Sequence, residues 1–359
     1  MESPCACAWA LQRLRPDGVL VYPSAMQNDQ IPASAGAAGG QSQPPLAAAR
    51  FIKEIGRGKD GARSLSRDDA RLMYEAMLDG RVSDLELGAI LLAMRVKGEA
   101  VEEIGGFLDA AEASFPPLAA PSSDYAPVVL PSYNGSRKMA NLTPLLCMLL
   151  VRRGVPVLMH GVTHDPQRVT SAEIISALGI AHAASAAEAQ ALMAAGKPAF
   201  IPIQALAPKI SRLLDMRRIL GVRNSTHTLV KIMQPFAAPA LRLTSYTHPE
   251  YLDMLSDYFG HAAPHERGDA FLMRGTEGET VANARRAQRI DWFSRGVKTV
   301  LVEKQSVAED LPDLPEGRDA ETTAAWIAEV LDGQRPVPES IAEQVEHCVQ
   351  VAAEIRQRG

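Results

Sequence analysis

The sequence is poor in cysteine and aromatic residues and has no long apolar run. Its 359 residues include four cysteines, and no two of them have the C-x-x-C spacing of zinc sites. Cysteines this few and this scattered exclude a disulfide scaffold, so we expect a reduced, cytoplasmic setting. The longest apolar run, residues 145–151, is far shorter than the roughly 18 residues that span a bilayer. Charged residues and prolines interrupt the N-terminus, so we expect neither secretion nor a membrane segment.

Charge is distributed unevenly along the chain. The whole sequence has 37 Lys and Arg residues against 42 Asp and Glu residues, a net charge of −5. Residues 131–242, in contrast, contain thirteen basic and four acidic residues. We expect these cations to converge on one cleft, where they could bind the phosphates of a polyanion. The thirteen are Arg137, Lys138, Arg152, Arg153, Arg168, Lys197, Lys209, Arg212, Arg217, Arg218, Arg223, Lys231 and Arg242.

The N-terminal third divides into a tail and a helical segment. Residues 1–46 are rich in Ala, Gly, Ser, Gln and Pro, which predicts a disordered tail because so little apolar surface cannot offset the entropy of ordering. Residues 47–123 have apolar positions at helical spacing and predict a small helical domain. Ser66 and Ser83, each followed by an acidic residue three positions later, predict capping boxes at two helix starts.

Residues 124–359 alternate short apolar stretches with amphipathic ones. Strands that alternate with helices predict an α/β domain with a mostly parallel central sheet flanked by helices. The expected strands are residues 128–130, 155–159, 199–203, 240–244, 270–273 and 297–302.

Several motifs resemble those of the anthranilate phosphoribosyltransferase superfamily, glycosyltransferase family 3. They are Asn134-Gly135, Asn141-Leu142-Thr143, His160-Gly161 and residues 171–179 and 216–223. The resemblance runs from about residue 47 to the C-terminus and implies a phosphoribosyltransferase or nucleoside phosphorylase-like fold. It also implies a homodimer that pairs through the helical domain. More narrowly, the chain resembles the YbiB branch, whose members are described as nucleic-acid-binding proteins without transferase activity, in residues 221–225, 274–279 and 321–326.

The loop that holds pyrophosphate in the transferases has a different sequence here. The family pattern is G-T-G-G-D-G, whereas residues 131–136 are P-S-Y-N-G-S. Pro131 lacks an amide donor, and Tyr133 fills space that a phosphate would need. The lysine and arginine of the family's K-H-G-N-R are also replaced around the retained His160-Gly161.

The magnesium-binding acids of the transferases are missing as well. The D-G-L-D-E motif aligns with Glu277-Gly278-Glu279-Thr280-Val281, so Thr280 and Val281 stand where two carboxylates are needed. We therefore expect no metal, no cofactor and no catalytic residue. The degenerate donor-site positions are Asn134, Gly135, Asn141, His160, Gly161 and Ser171.

These patterns favour a non-catalytic nucleic-acid-binding protein on a phosphoribosyltransferase-like fold. Its partners would be single- or double-stranded DNA or RNA, bound through the backbone with little sequence specificity. The residues expected to bind nucleic acid are Arg137, Lys138, Lys209, Arg212, Arg217, Arg218, Arg223 and Lys231.

Two alternatives stay open at the level of sequence. The retained Asn141, Ser171 and Arg217 also fit a glycosyl or phosphoribosyl transferase, a pentosyltransferase with an altered donor or acceptor. A basic cleft could instead accept an acidic peptide or a small metabolite.

Overall fold

The computed structural model describes residues 43–58, 60–306 and 313–359. The predicted tail therefore lies outside the described residues, apart from its last four positions. No helix among the described residues is both long and apolar enough to cross a bilayer. The helices are α1 (Ala49–Ile55), α2 (Arg67–Leu78), α3 (Asp84–Lys97), α4 (Val101–Ala113), α5 (Thr143–Arg152), α6 (Ser171–Ala177), α7 (Ala186–Ala194), α8 (Ile203–Leu206), α9 (Pro208–Leu220), α10 (Thr226–Leu229), α11 (Pro249–Asp257), α12 (Ala320–Leu331) and α13 (Glu339–Arg358).

Helices α1–α4 form the predicted helical domain. Ser83 forms the predicted capping box with Glu86, whereas Ser66 only accepts a hydrogen bond from the Asp69 amide and no capping box forms there. Helices α2 and α4 pack very closely, because a Cβ at Gly106 would lie 2.2 Å from the carbonyl oxygen of Arg67. The side chains between the helices form an apolar core.

Seven strands form one sheet in the order β3-β2-β1-β4-β5-β6-β7. The first five strands of this order are parallel, and β6 and β7 add an antiparallel edge. The sheet is mostly parallel, as expected, but β6 is absent from the strands predicted above. The strands are β1 (Val128–Ser132), β2 (Val157–Gly161), β3 (Ala199–Pro202), β4 (Ala240–Tyr246), β5 (Gly268–Arg274), β6 (Ile290–Ser294) and β7 (Val297–Val302).

The sheet separates two apolar cores. Side chains of α5, α6, α12 and α13 cover one face, and the helical domain with α7–α11 covers the other. The strand order reverses between β1 and β4, since β2 and β3 lie to one side of β1 and the later strands to the other. In open α/β sheets, ligands bind beyond the carboxyl ends of the strands at such a reversal. We therefore expect a ligand site at the loops after β1, β4 and β5.

Helices α9 and α10 pack on the helical domain, although they lie within the α/β segment of the sequence. Lys209 Nζ lies 2.7 Å from Asp79 Oδ1, just after α2. Arg212 donates to the carbonyl oxygens of Met77 and Leu78 in the last turn of α2. Arg212 therefore satisfies carbonyl groups at the end of a helix, where they lack partners, and both cations lie where the helix dipole favours positive charge.

Candidate functional site

The loop after β1 presents five backbone amides to two carboxylates of the same chain. We call residues 134–139 the amide loop. Glu279 Oε1 accepts hydrogen bonds from the amides of Asn134 and Gly135, at 2.8 and 2.7 Å. The carboxylate of Glu277 accepts three more, at 3.1, 2.7 and 3.0 Å, from the amides of Arg137, Lys138 and Met139. Internal anions thus occupy the amides at the reversal point of the sheet.

Both glutamates belong to a tight turn after β5, residues 276–279, which we call the acidic turn. Thr276 and Glu279 exchange two backbone hydrogen bonds of 3.0 Å. Gly278 has a φ of +95°, and a Cβ there would lie 1.6 Å from Nδ2 of Asn134. Only glycine fits this position, because it adopts a positive φ freely and leaves room for the opposing side chain. The turn and the amide loop therefore close on each other without intervening space.

Four cations surround this contact, and we call them the basic cluster: Arg168, Arg217, Arg223 and Lys231. Arg168, Arg223 and Lys231 each donate a hydrogen bond of 3.1 Å to an uncharged oxygen of the amide loop or the acidic turn. Arg217 Nη1 lies 3.9 Å from Asp165 Oδ2. Because three of the hydrogen bonds go to carbonyl or amide oxygens, they leave much of the cluster's positive charge uncompensated.

The electrostatics of the site reflect this concentration of charge. Burial lowers the pKa of Arg223, and the charges of Arg217 and Arg168 lower it further. Burial also lowers the pKa of Lys231, to about 8, and the neighbouring arginines act in the same direction. Burial lowers the pKa of His227 to about 3, so its imidazole is neutral at pH 7. Burial is the largest cause of each shift; the neighbouring cations add to it, and the charge of Glu279 opposes it at Lys231.

A cleft opens beside the basic cluster, between the helical domain and the α/β domain. Its volume is about 100 Å³. Arg223 and Lys231 line one side, and Arg95 and Glu99 from the end of α3 line the other. Glu99 and Asp165 face the cations on this side, and Glu277 and Glu279 face them from the acidic turn.

Two of the degenerate donor-site positions, Asn141 and Ser171, hold the scaffold together with Ser132 of β1. The hydroxyl of Ser132 donates to the Ser171 hydroxyl at 2.7 Å, and Asn141 Nδ2 donates to the same oxygen at 3.1 Å. Asn141 Oδ1 also accepts from the amide of Thr143, at the start of α5. These side chains are buried and satisfy one another.

His160 and Gly161 also have structural surroundings. The imidazole of His160 is buried, and its Nδ1 lies 2.7 Å from the hydroxyl of Tyr133. Burial lowers the pKa of His160 to about 3, so the ring is neutral, and its Nδ1 shares a hydrogen bond with the tyrosine hydroxyl. Gly161 ends β2 and pairs with Ser132 of β1. Among the described residues, no charged side chain raises the pKa of His160, so the imidazole is not poised to act as a base near pH 7.

The structure does not bring all thirteen cations of residues 131–242 together, so that expectation is wrong. Arg152 donates to a carbonyl oxygen at the end of α12, and Arg153 pairs with Glu346 of α13. Lys209 and Arg212 bind the end of α2, as described above. The count along the sequence overstates the local charge because cations near in sequence lie on different faces.

The remaining predicted binding residues lie at the margin of the site. The side chains of Arg137 and Lys138 are exposed, and their amides tie them to Glu277. Arg218 is 79% exposed and lies 3.8 Å from Asp215, one turn earlier on α9. Of the eight predicted residues, the structure thus gathers Arg217, Arg223 and Lys231, with three more at the margin.

The residues present do not fit the magnesium site of the transferases. Thr280 and Val281 occupy the aligned positions and are buried. Glu277 and Glu279, the nearest carboxylates, are engaged by backbone amides. Among the described residues, no group of three or more His, Cys, Asp and Glu side chains could hold a metal.

Sequence reasoning missed the role of the acidic turn, and it counted Arg168 among the thirteen cations without naming it as a binding residue. Glu277 and Glu279 look like a failed metal motif when they are aligned position by position. Their hydrogen bonds go to backbone amides about 140 residues earlier, which no side-chain pattern reports. The only available signal is two acids flanking a glycine immediately after a strand.

Comparison with known proteins defines the class. Residues 49–114 match the helical bundle domain of the glycosyl transferase family. Among solved structures, anthranilate phosphoribosyltransferase from Thermus thermophilus has a TM-score of 0.64 at 20% identity, covering 86% of this chain and 89% of that one. The Saccharomyces cerevisiae enzyme in complex with PRPP and Mg has a TM-score of 0.63 at 13% identity, over 86% and 88% of the two chains. The fold is that of an anthranilate phosphoribosyltransferase.

Sequence relatives narrow the assignment. The uncharacterized protein YbiB of Escherichia coli (strain K12) is 46% identical over 307 residues, covering 85% of this chain and 94% of that protein. Anthranilate phosphoribosyltransferase 2 of Ralstonia nicotianae is 26% identical over 288 residues, covering 78% and 80%. The chain belongs to the YbiB family, within the anthranilate phosphoribosyltransferase superfamily.

Proposed function

We propose that this protein binds nucleic acid without catalysis, through the phosphates of single- or double-stranded DNA or RNA. The observation that carries the proposal is the pairing of an amide loop filled by Glu277 and Glu279 with a basic cluster around it. The cradle for a small diphosphate is closed, while cations that face the cleft keep their charge. A polyanion can bind to these cations without entering the amide loop.

The carboxylates of Glu277 and Glu279 offset only part of this charge. Five amides share the two glutamates, so backbone dipoles compensate much of their negative charge. Arg168, the nearest guanidinium to Glu277, is still 4.0 Å from its carboxylate. Arg217 is 45% exposed and lies on the open side of the site, where a phosphate could approach. Exposed cations of this kind contact phosphates and carry no base information, so binding would have little sequence preference.

A salt series tests the proposal directly. Gel shifts with a single strand, a duplex and an RNA of equal length are run at two or more salt concentrations. The logarithm of the binding constant should fall linearly with the logarithm of salt concentration, by about 0.9 per phosphate contact for duplex and about 0.7 for single strands. Binding without a salt slope, or no binding at low salt, would contradict the proposal.

The alternative function is a phosphoribosyl or other glycosyl transferase. The fold and the relatives named above support it at the level of the superfamily. Calorimetry with PRPP and magnesium separates the two functions. Micromolar, metal-dependent binding would favour the transferase, whereas the closed amide loop predicts no metal-dependent binding of PRPP.

We also propose that a second copy of the chain covers an apolar face of the helical domain. Leu85, Leu92 and Val96 on α3 are 85%, 51% and 66% exposed. Leu92 and Val96 line a groove with Ile52 and Ile55 of α1. Apolar side chains this exposed and this close together mark a surface for protein contacts. Two clefts on one dimer would raise avidity for a long strand.

A further inference from the structure

A second cavity lies at the opposite end of the sheet from the amide loop. Its volume is about 360 Å³. It opens between helices α2 and α4 and the N-terminal ends of β4 and β5. Its charged and phenolic lining consists of Arg71, Asp109, Glu112, Arg242, Tyr258 and Arg267.

Arg242 is the unusual member of this lining. It is the third residue of β4, and only 3% of its surface is exposed. Its Nε is enclosed and has no hydrogen-bond partner among the described residues. The guanidinium lies 5.2 Å from the ring centroid of Phe259, a cation–π contact that attracts the charge without neutralising it. A buried charge without a counter-ion is costly unless something in the cavity pairs with it.

The carboxylates of the cavity are engaged elsewhere. Asp109 forms a two-pronged ion pair with Arg67, at 2.7 and 2.9 Å. Glu112 accepts from Arg267 at 2.9 Å and from the backbone amide of Gln234 at 2.7 Å. Two ion pairs therefore account for both acids. Arg242 and the exposed Arg71 are left as the cations that face the cavity without a carboxylate partner in the described part of the chain.

The wall beneath Arg242 has an uncommon backbone. Residues Tyr258–Ala262 form a π-helix that continues α11. Tyr258 lines the cavity, and Phe259 supports the guanidinium. Single turns of π-helix are rare and recur at functional sites. Here the turn places the Tyr258 ring against the cavity and the Phe259 ring against Arg242.

We propose that this cavity is a binding site for a small oxyanion, a phosphate or carboxylate group, held by Arg242 with Arg71 at the mouth. A planar guanidinium matches such groups with two parallel N–H donors. The site is separate from the basic cluster and does not depend on the proposed nucleic-acid function.

Calorimetric titration of the full chain with inorganic phosphate, and separately with acetate, tests this site. Ionic strength is held constant with sodium chloride. We expect one site per chain that Arg242→Met weakens about tenfold or more, the cost of losing a charge-assisted pair. Arg242→Lys keeps the charge but loses the fork, so it should weaken binding less than Met does. Tighter binding of phosphate or of acetate would identify which oxyanion the site prefers.

Arg223→Gln is the control, because the basic cluster could also bind phosphate. This variant should leave the site's affinity within about twofold, since Arg223 lies at the other end of the sheet. The proposal would be overturned if neither anion binds, if Arg242→Met and wild type bind equally, or if Arg223→Gln removes the binding instead. Should Arg242→Met fail to fold, Arg242→Lys against Arg223→Gln decides by the same criterion.

Discussion

In the folded protein, Lys231 has a pKa close to neutral pH. Its pKa of about 8 arises mainly from burial, and the charge of Glu279 limits the drop. Since Lys231 loses its proton as pH rises through about 8, nucleic-acid affinity should fall between pH 7 and pH 9 at constant ionic strength. We expect a decrease of about tenfold, the effect of one charge-assisted hydrogen bond. Fluorescence anisotropy with a labelled single strand measures it.

Lys231→Met supplies the comparison for this pH effect. Its affinity should already be low at pH 7 and should change little up to pH 9. The pH dependence of stability tests the lowered pKa of Lys231 independently. Between pH 8 and the unfolded pKa near 10.5 the unfolded chain holds a proton that the folded chain has released, so the free energy of unfolding should rise with pH. A flat stability profile over this range in wild type would contradict the depressed pKa.

Glu279 is important because its carboxylate occupies two backbone amides that a bound ligand would otherwise contact. It is buried, and its Oε1 accepts from two amides. Glu279→Gln removes the charge from these hydrogen bonds while keeping their shape. We expect the free energy of unfolding to fall by about 1–3 kcal/mol in urea titrations at pH 7.

The exposed Glu266 offers a matched comparison for Glu279. Glu266→Gln makes the same chemical change on the surface and should alter stability by less than about 0.5 kcal/mol. Equal effects of the two substitutions would mean that the amide loop does not depend on its internal anion.

At the scale of an element, substitutions at the end of α9 test the proposed interface most directly. Arg217→Glu combined with Arg218→Glu replaces two exposed cations on this helix. DNA affinity should fall, and the salt slope should decrease by about one for each phosphate that the helix no longer neutralises. Thermal unfolding should change little because both side chains are solvated. Gel shifts at two salt concentrations report the affinity and the slope.

A double variant at the other end of the sheet controls for total charge. Lys197 precedes β3, and Arg356 lies near the end of α13 beside the residues that lead into β1. Lys197→Glu with Arg356→Glu makes the same change in net charge away from the cleft. If this variant loses as much affinity as the α9 variant, binding depends on net charge alone and the site is misplaced.

The elements also show what the sequence can and cannot predict. Capping boxes and apolar periodicity locate α2, α3 and six of the strands because these signals are local. Strand β6 escapes prediction, since Trp292 and Phe293 stand beside the arginines at 285, 286 and 289, a mixture that also occurs in exposed nucleic-acid-binding segments, although tryptophan is more often a core residue. In the sheet, Trp292 donates to Asp269 of β5, and Phe293 is buried. Whether such a segment is buried or exposed depends on its partners on strands that are distant in sequence.

The candidate site was only partly predictable for the same reason. The sequence locates the altered donor loop, and three of the predicted cations reach the basic cluster. It does not reveal that Lys209 and Arg212 serve α2, because a cation's partner depends on tertiary packing. The glutamates on the amide loop are likewise invisible until the loops after β1 and β5 meet in space.

At the scale of the whole molecule, the apolar face of α3 should control assembly. Leu92→Glu with Val96→Glu places two charges in the groove shared with α1. Sedimentation should then give the mass of one chain, where wild type gives the mass of two, because burying unpaired charges is costly. Avidity for long strands should fall with it.

Ile219→Glu is the reference for the assembly test. Ile219 is 77% exposed on α9, far along the chain from the α3 groove. This substitution should leave the dimer intact. Wild type sedimenting as one chain, or a dimer that survives the α3 substitutions, would remove the proposed interface.

The closure of the amide loop by Glu277 and Glu279 has a pharmacological consequence. A competitor that is part of the same polypeptide acts at a high effective concentration, which a dissolved ligand rarely matches. Inhibitors that imitate diphosphate and target the transferases should therefore bind this protein poorly, even though its fold is the same.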